Sequence, residues 1–135
     1  MSKYPYTVLP TKTSVVYKPL VPVRLHYSKT HKMTSPIIAL VDSGADACFC
    51  SENIGFWLGI KFDKKKKHTF TAANNQTFET FKEVITLEAS GKKYSCPFYF
   101  TNTLPRQTPI ILGQIGFFNH FKITFHLENK EIEIT

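Results

Sequence analysis

The chain has 135 residues, of which 42% are hydrophobic, and its 17 lysines and arginines exceed its 10 aspartates and glutamates by seven. A chain of this length is expected to form one domain that buries about two thirds of its unfolded surface. The longest apolar run is too short to span a bilayer and no charged-then-apolar leader is present, so we expect no membrane span and a soluble, intracellular, cytoplasmic protein.

Strand patterns predominate along the chain. Residues 1–18, with two prolines and many serines and threonines, are expected to be a flexible N-terminal arm, and residues 19–135 the folded domain. Short runs rich in β-branched and aromatic residues, bounded by turn residues, predict strands. The predicted strands cover residues 19–27, 36–41, 68–71, 77–87, 93–100, 110–112, 122–127 and 131–135.

A continuous apolar run, residues 37–41, ends at Asp42. Five consecutive apolar residues, three of them β-branched, fit a strand that is covered on both faces. An ionised carboxylate at the end of such a strand needs hydrogen-bond donors or a second acid that shares its proton. Gly44 permits a tight turn that brings backbone N–H groups close, and the Ser43 hydroxyl can hold the loop. Asp-Ser-Gly is also an ordinary turn sequence, so the tripeptide alone does not identify a catalytic acid.

Two further elements are predicted between the acid and the C-terminal strands. Residues 51–60 favour one or two helical turns, with Ser51 as N-cap and Gly59 as the stop. Residues 68–87 alternate as a hairpin does, and their polar centre, residues 72–76, suits the tip because asparagine tolerates positive φ. Many short strands with little helix predict a mostly-β, barrel-like body.

Two segments carry a family resemblance. Residues 39–46, Ala-Leu-Val-Asp-Ser-Gly-Ala-Asp, resemble the active-site segment of the retropepsins, the single-domain aspartic proteases of retroviral type. Residues 109–114, Pro-Ile-Ile-Leu-Gly-Gln, resemble the apolar segment that passes beside the catalytic loop in this family. The resemblance implies a closed β-barrel of the acid-protease fold with one or two short helices. The second helix would have Phe117, Phe118 and Phe121 on its apolar face.

The resemblance also implies an aspartic endopeptidase with Asp42, Ser43 and Gly44 as its catalytic segment. Such an enzyme needs two carboxylates facing one water, and the chain has a single Asp-Ser-Gly segment. The second Asp42 must therefore come from another copy of the chain, in a homodimer with a self-complementary interface. The two acids share one proton, so activity is expected to be highest in mildly acidic solution. No cofactor and no metal is expected.

The predicted substrate is a polypeptide in extended conformation, bound as an added strand between the hairpin, which acts as a flap, and the cleft floor. Phe70 and Phe78 are candidates for apolar walls, although such side chains commonly belong to the core. The predicted substrate-binding residues are Ala45, Asp46, Ala72, Ala73, Asn74, Asn75 and Ile111.

Gln114 departs from the family pattern. The residue after the second glycine is usually an arginine that pairs with the acid corresponding to Asp46. Glutamine removes this charge-assisted bidentate pair, which leaves the support of Asp46 and of the dimer open. Arg106 is the nearest preceding basic residue and a candidate substitute.

A basic run, residues 64–67, indicates a different function. Four lysines followed by His68 suit a nucleic-acid or anionic-surface patch, or a nuclear-import tag. No stacking motif or Gly-rich phosphate loop accompanies the run, so a solvated loop is favoured. The alternative function is a catalytically inactive retropepsin-like module that binds peptide or nucleic acid through this basic surface.

The three cysteines form no Cys-x-x-Cys pair, so neither a zinc site nor a disulfide framework is predicted. Cys48 and Cys50 are predicted to be buried small apolar side chains. A cysteine nucleophile with a histidine partner has no supporting motif. Reduced cysteines fit an intracellular protein.

Overall fold

The computed structural model describes all 135 residues and contains thirteen strands and one short helix. The elements in chain order are β1 (Ser2–Pro5), β2 (Thr7–Pro10), β3 (Val15–Lys18), β4 (Leu20–Tyr27), β5 (Lys32–Met33), β6 (Ile37–Val41), β7 (Cys48–Ser51), α1 (Glu52–Trp57), β8 (Lys67–Thr71), β9 (Thr77–Ala89), β10 (Lys92–Thr101), β11 (Ile110–Leu112), β12 (Ile123–His126) and β13 (Glu131–Ile134).

Six of the strands form a closed barrel. They follow the order β4-β6-β11-β7-β10-β9, and β9 returns to pair with β4. The β6–β11 and β7–β10 pairs are parallel and the other four are antiparallel. Closure leaves no unpaired edge in the barrel, which is one way in which β proteins avoid edge-to-edge association. The predicted mostly-β barrel is confirmed.

The barrel interior is filled by side chains that alternate along each strand. In β10, Cys96, Phe98 and Phe100 are fully buried, whereas the residues between them are partly exposed. Leu25 and Leu87, which lie opposite each other at the β4–β9 closure, are also fully buried. This period of two is the pattern that a strand with one face in the core requires.

Helix α1 begins and ends where the sequence predicted. The Ser51 side chain accepts a hydrogen bond from the backbone N–H of Asn53 at 3.3 Å, so Ser51 is the N-cap. Gly59, with φ of 83°, lies just beyond the helix in the left-handed region that glycine favours. No helix of the structure has the length and apolar character needed to cross a membrane.

The segment that follows Gln114 differs from the prediction, because Ile115 forms a β-bridge with Ala47 and residues 116–120 form turns rather than a helix. Gly116 has φ of 110°, a conformation that ends right-handed helical geometry. Phe117 is nevertheless fully buried, as the predicted apolar face required, and it packs on Phe121 with ring centroids 4.9 Å apart.

Residues 1–18, predicted as an arm, contain three strands. β1 pairs with the C-terminal strand β13, which also pairs with β12. β2 and β3 form a hairpin that pairs with no other strand. Four of its large apolar side chains are 37–51% exposed; they are Val8, Val15, Val16 and Tyr17. The flexibility of this arm stays a prediction.

Candidate active site

Asp42 directly follows barrel strand β6 and is fastened to strand β11. Its N–H donates to the carbonyl of Leu112 at 3.0 Å. Its half-buried side chain accepts a hydrogen bond at Oδ1 from the N–H of Gly44, at 2.9 Å. The carboxylate therefore leaves the end of the strand in a fixed orientation, with Oδ2 unbound to protein.

Gly113 lets the loop of residues 42–46 lie directly against the segment that follows β11. A Cβ at position 113 would collide with the carbonyl oxygen of Ala47 and would lie 2.6 Å from that of Ala45. Only glycine permits this approach of two backbones. Gln114 N–H then donates to Ala45 O at 2.8 Å, and Ile115 N–H donates to Asp46 O at 2.9 Å.

The Gln114 side chain also reaches the loop. Its amide Nε2 donates to the carbonyl oxygen of Ser43 at 2.6 Å. No ion pair joins Asp46 to Arg106, which lines a separate cleft with Glu52 and Pro109. Gln114, which departs from the family pattern, therefore holds the loop itself, and the candidate substitute Arg106 makes no ion pair with Asp46 within the chain.

A cleft of about 490 Å³ opens between this loop and the hairpin of β8 and β9. Two of the predicted site residues, Ser43 and Asn75, do not line it. The predicted residues that do line it are Asp42, Gly44, Ala45, Asp46, Ala72, Ala73, Asn74 and Ile111. The cleft brings together an acid-bearing loop, a hairpin tip and an apolar wall.

The hairpin tip has the conformation that its sequence predicted. Asn75 has φ of 64°, and its N–H donates to the carbonyl of Ala72 at 3.0 Å. Asn74 Oδ1 accepts from the N–H of Gln76 at 3.0 Å, and the N–H of Ala72 donates to Gln76 O at 2.8 Å. These bonds close the tip above the cleft.

An aromatic cluster lies at the base of the hairpin. The ring of Phe70 is 5.0 Å from that of Phe49 and 4.9 Å from that of Tyr99 between centroids, both in edge-to-face geometry. Phe78 lies 5.6 Å from Phe49 and 5.9 Å from Phe70. The candidate wall residues Phe70 and Phe78 both line the cleft while packing on this cluster.

Six cleft residues were not among the predicted site residues: Phe49, Thr71, Gln76, Thr77, Thr103 and Leu104. Thr71, Gln76 and Thr77 lie within the predicted hairpin. Phe49 belongs to β7, a four-residue strand between the loop and the Ser51 N-cap, and the run Cys-Phe-Cys was the available signal for it. Thr103 and Leu104 lie in a loop without periodicity, and no local signal places them at the site.

The three cysteines are fully buried, as predicted for Cys48 and Cys50. Cys48 Sγ donates to Ile115 O at 3.6 Å and Cys96 Sγ to Gly116 O at 3.4 Å, so both thiols support the turn behind the loop. Burial raises the pKa of the Cys50 thiol well above its ordinary value. No cysteine sulfur faces the cleft, which argues against a cysteine nucleophile.

Searches by sequence against protein families and against curated proteins found no match. Solved structures do match. The chain is similar to a retropepsin-like aspartic protease from Rickettsia conorii, with a TM-score of 0.60 and 14% identity over 100% of this chain and 99% of that chain. It is also similar to EIAV protease complexed with the inhibitor HBY-793, with a TM-score of 0.54 and 20% identity over 71% of this chain and 81% of that chain. The fold that the two sequence motifs predicted is therefore confirmed: this chain has the retropepsin-like fold.

Proposed function

We propose that the protein is an aspartic endopeptidase whose active site is shared by two copies of the chain. The observation that carries the proposal is the placement of Asp42, a half-buried carboxylate at the end of a barrel strand that faces an apolar cleft beneath a hairpin. The two similar folds reported above both belong to proteases, which supports the same chemistry.

One chain supplies half of the catalytic pair. Its Ser43 and Gly44 are exposed, and Ile115 beside the loop is 61% exposed. A second copy related by a two-fold axis would cover this surface and bring its own Asp42 to the first. Ser43 of each copy would link the two loops across the axis. The protease domain comprises residues 19–135, with residues 1–18 as an arm.

The chemistry follows from two acids that share one proton. The ionised Asp42 takes a proton from the water between them while the neutral Asp42 hydrogen-bonds the scissile carbonyl oxygen. Water adds to the carbonyl carbon, and a proton then passes to the leaving amine as the C–N bond breaks. Activity requires the singly protonated pair, so it is highest in mildly acidic solution and falls as the second acid ionises.

An extended peptide fits the cleft as an added strand. Ala45 is small enough to let the peptide backbone approach, and the exposed Asp46 carboxylate, which has no ion pair, can accept peptide N–H groups. Phe49, Leu104 and Ile111 offer apolar walls beside the cut bond. Three reduced cysteines support an intracellular, cytoplasmic location for this activity.

The test compares wild type with Asp42→Asn on an unstructured protein substrate between pH 4 and pH 8, with mass followed by sedimentation. We expect cleavage by wild type only, strongest on the acidic side, in samples that contain dimer. Equal cleavage by both proteins would remove Asp42 from the mechanism.

One observation favours the alternative of a binding module. Lys64, Lys65 and Lys66 are exposed in a turn and their ammonium groups form no ion pair, whereas Lys67 pairs with Glu79 at 3.3 Å. A nucleic-acid site there would retain an oligonucleotide at low salt and lose it when the three lysines are neutralised. If the protein has no nucleic-acid site there, wild type should retain no more oligonucleotide than the variant in which the three lysines are neutralised.

A further inference from the structure

Gln114 is exposed, so its side chain could lie in solvent, yet it hydrogen-bonds the loop of residues 42–46. Its side chain is the only one outside residues 42–46 that hydrogen-bonds the loop backbone, through Nε2 and the Ser43 carbonyl oxygen at 2.6 Å. Its own N–H is bound to Ala45 O at 2.8 Å, so the Gln114 backbone is fixed to the same loop. The side-chain bond therefore begins from an anchored residue and loses little freedom when it forms.

The acceptor of this hydrogen bond is the carbonyl oxygen of the peptide group that joins Ser43 to Gly44. Ser43 C=O and Gly44 N–H belong to the same planar unit, and in a trans peptide they point in opposite directions. Gln114 binds the carbonyl end, and Asp42 Oδ1 accepts from the N–H end at 2.9 Å. A hydrogen bond at the carbonyl fixes the tilt of the plane and polarises the N–H, which strengthens the bond to the carboxylate.

We propose that Gln114 is a positioning residue for Asp42, acting through the Ser43–Gly44 peptide group. The inference rests on the proposed function for its catalytic consequence. Gln114 orients the acid within one chain, so that the half-site has its final geometry before a second copy docks. A neutral amide does this without an ion pair, which leaves Asp46 available for substrate and makes the support insensitive to pH and salt.

Three variants test this role. Gln114→Met keeps the length of the side chain without a donor. Gln114→Glu has a donor only while its carboxyl is protonated, below about pH 4 to 5, and the loop acids Asp42 and Asp46 would raise that pKa rather than lower it. Gln107→Met is the matched control, because Gln107 is exposed, makes no side-chain hydrogen bond and lies outside the cleft.

We expect Gln114→Met to lower kcat about tenfold at every pH and to change KM little. The reason is that the variant loses the one hydrogen bond that holds the carbonyl oxygen of the Ser43–Gly44 peptide group, and with it the orientation of Asp42. Relative to wild type, Gln114→Glu should be nearly as active near pH 4 and should lose activity as pH rises through the pKa of its carboxyl. Gln107→Met should match wild type. A Gln114→Glu profile parallel to that of wild type, or a Gln114→Met change confined to KM, would overturn the proposal.

Amide hydrogen exchange separates this inference from the proposed function. The protection factor of the Gly44 N–H should fall about threefold or more in Gln114→Met and stay unchanged in Gln107→Met. If wild type cleaves nothing, the proposed function fails while this measurement still decides whether Gln114 positions the loop. Unchanged protection of Gly44 in Gln114→Met would reject the positioning role whatever the activity.

Discussion

At the scale of single residues, the site depends on two glycines and one amide. Gly44 supplies the N–H that orients Asp42, and Gly113 leaves room for the loop carbonyls. Gly44 was predictable from the tight turn that it permits. Gly113 was predictable only through the family resemblance of residues 109–114, because the backbone that it approaches, at Ala45 and Ala47, is distant in sequence. The bond from Gln114 to Ser43 was not predictable, because it joins residues 71 positions apart and depends on how the barrel closes.

Replacing Gly113 by alanine should destabilise the fold by about 3 kcal/mol, because the new Cβ has no room beside the backbone oxygens of Ala45 and Ala47. Chemical denaturation with a fluorescence readout measures this. Gly91→Ala is the control: Gly91 has φ of 77° but open space around it, so we expect a cost of about 1 kcal/mol from backbone conformation alone. Equal costs at the two positions would contradict the close approach at Gly113.

At the scale of elements, the hairpin of β8 and β9 and the turn after Gln114 show what local sequence determines. The hairpin tip was predicted correctly because asparagine tolerates the positive φ that Asn75 adopts. Of the one or two short helices predicted, only the first is present: the second, which the family resemblance implied around Phe117, Phe118 and Phe121, is replaced by turns in which Gly116 takes φ of 110°. Strand β7 was missed because four residues between a loop and an N-cap show too little alternation.

Asn75→Val should loosen the tip of the hairpin, since a β-branched side chain is strained at φ of 64°. We expect faster amide exchange at Ala72 and Asn75, whose N–H groups close the tip. Asn75→Gly, which accepts the same φ, should keep the wild-type protection at Ala72. Slower exchange in the valine variant than in the glycine variant would refute the argument from backbone conformation.

At the scale of the whole molecule, the closed barrel keeps its titratable thiols out of water. Cys50 is fully buried, and burial raises the pKa of its thiol above the ordinary value of 9.0. Burial likewise raises the pKa of the Tyr94 hydroxyl, which donates to Gly116 O at 2.6 Å.

Composition and strand pattern predicted the barrel, whereas its six-strand closure through β4 and β9 depends on long-range pairing that no local pattern specifies.

Stability should therefore fall in alkaline solution. The unfolded chain loses the Cys50 proton near pH 9 while the folded chain keeps it. The contribution of this group to the free energy of unfolding is therefore complete below pH 9 and is lost as pH rises above it. The expected slope is about 1.4 kcal/mol per pH unit for each such group. Denaturation midpoints from pH 7 to pH 10.5 measure it. Cys50→Ala should be less stable at neutral pH but should show a shallower alkaline decline, and an unchanged slope would contradict the assignment.

The proposed catalytic pair consists of one Asp42 from each of two chains. Titration of Asp42→Asn protein into a fixed amount of wild type shows whether both acids are required. The titration is run at a concentration where sedimentation shows the dimer, with cleavage of an unstructured protein as the readout. If subunits exchange freely and a mixed dimer lacks one acid, equal amounts of the two proteins should lower wild-type activity to about one half, with a further decline as the variant increases. Activity that stays constant throughout the titration would show that a single chain carries the complete site and would rule out the shared catalytic pair.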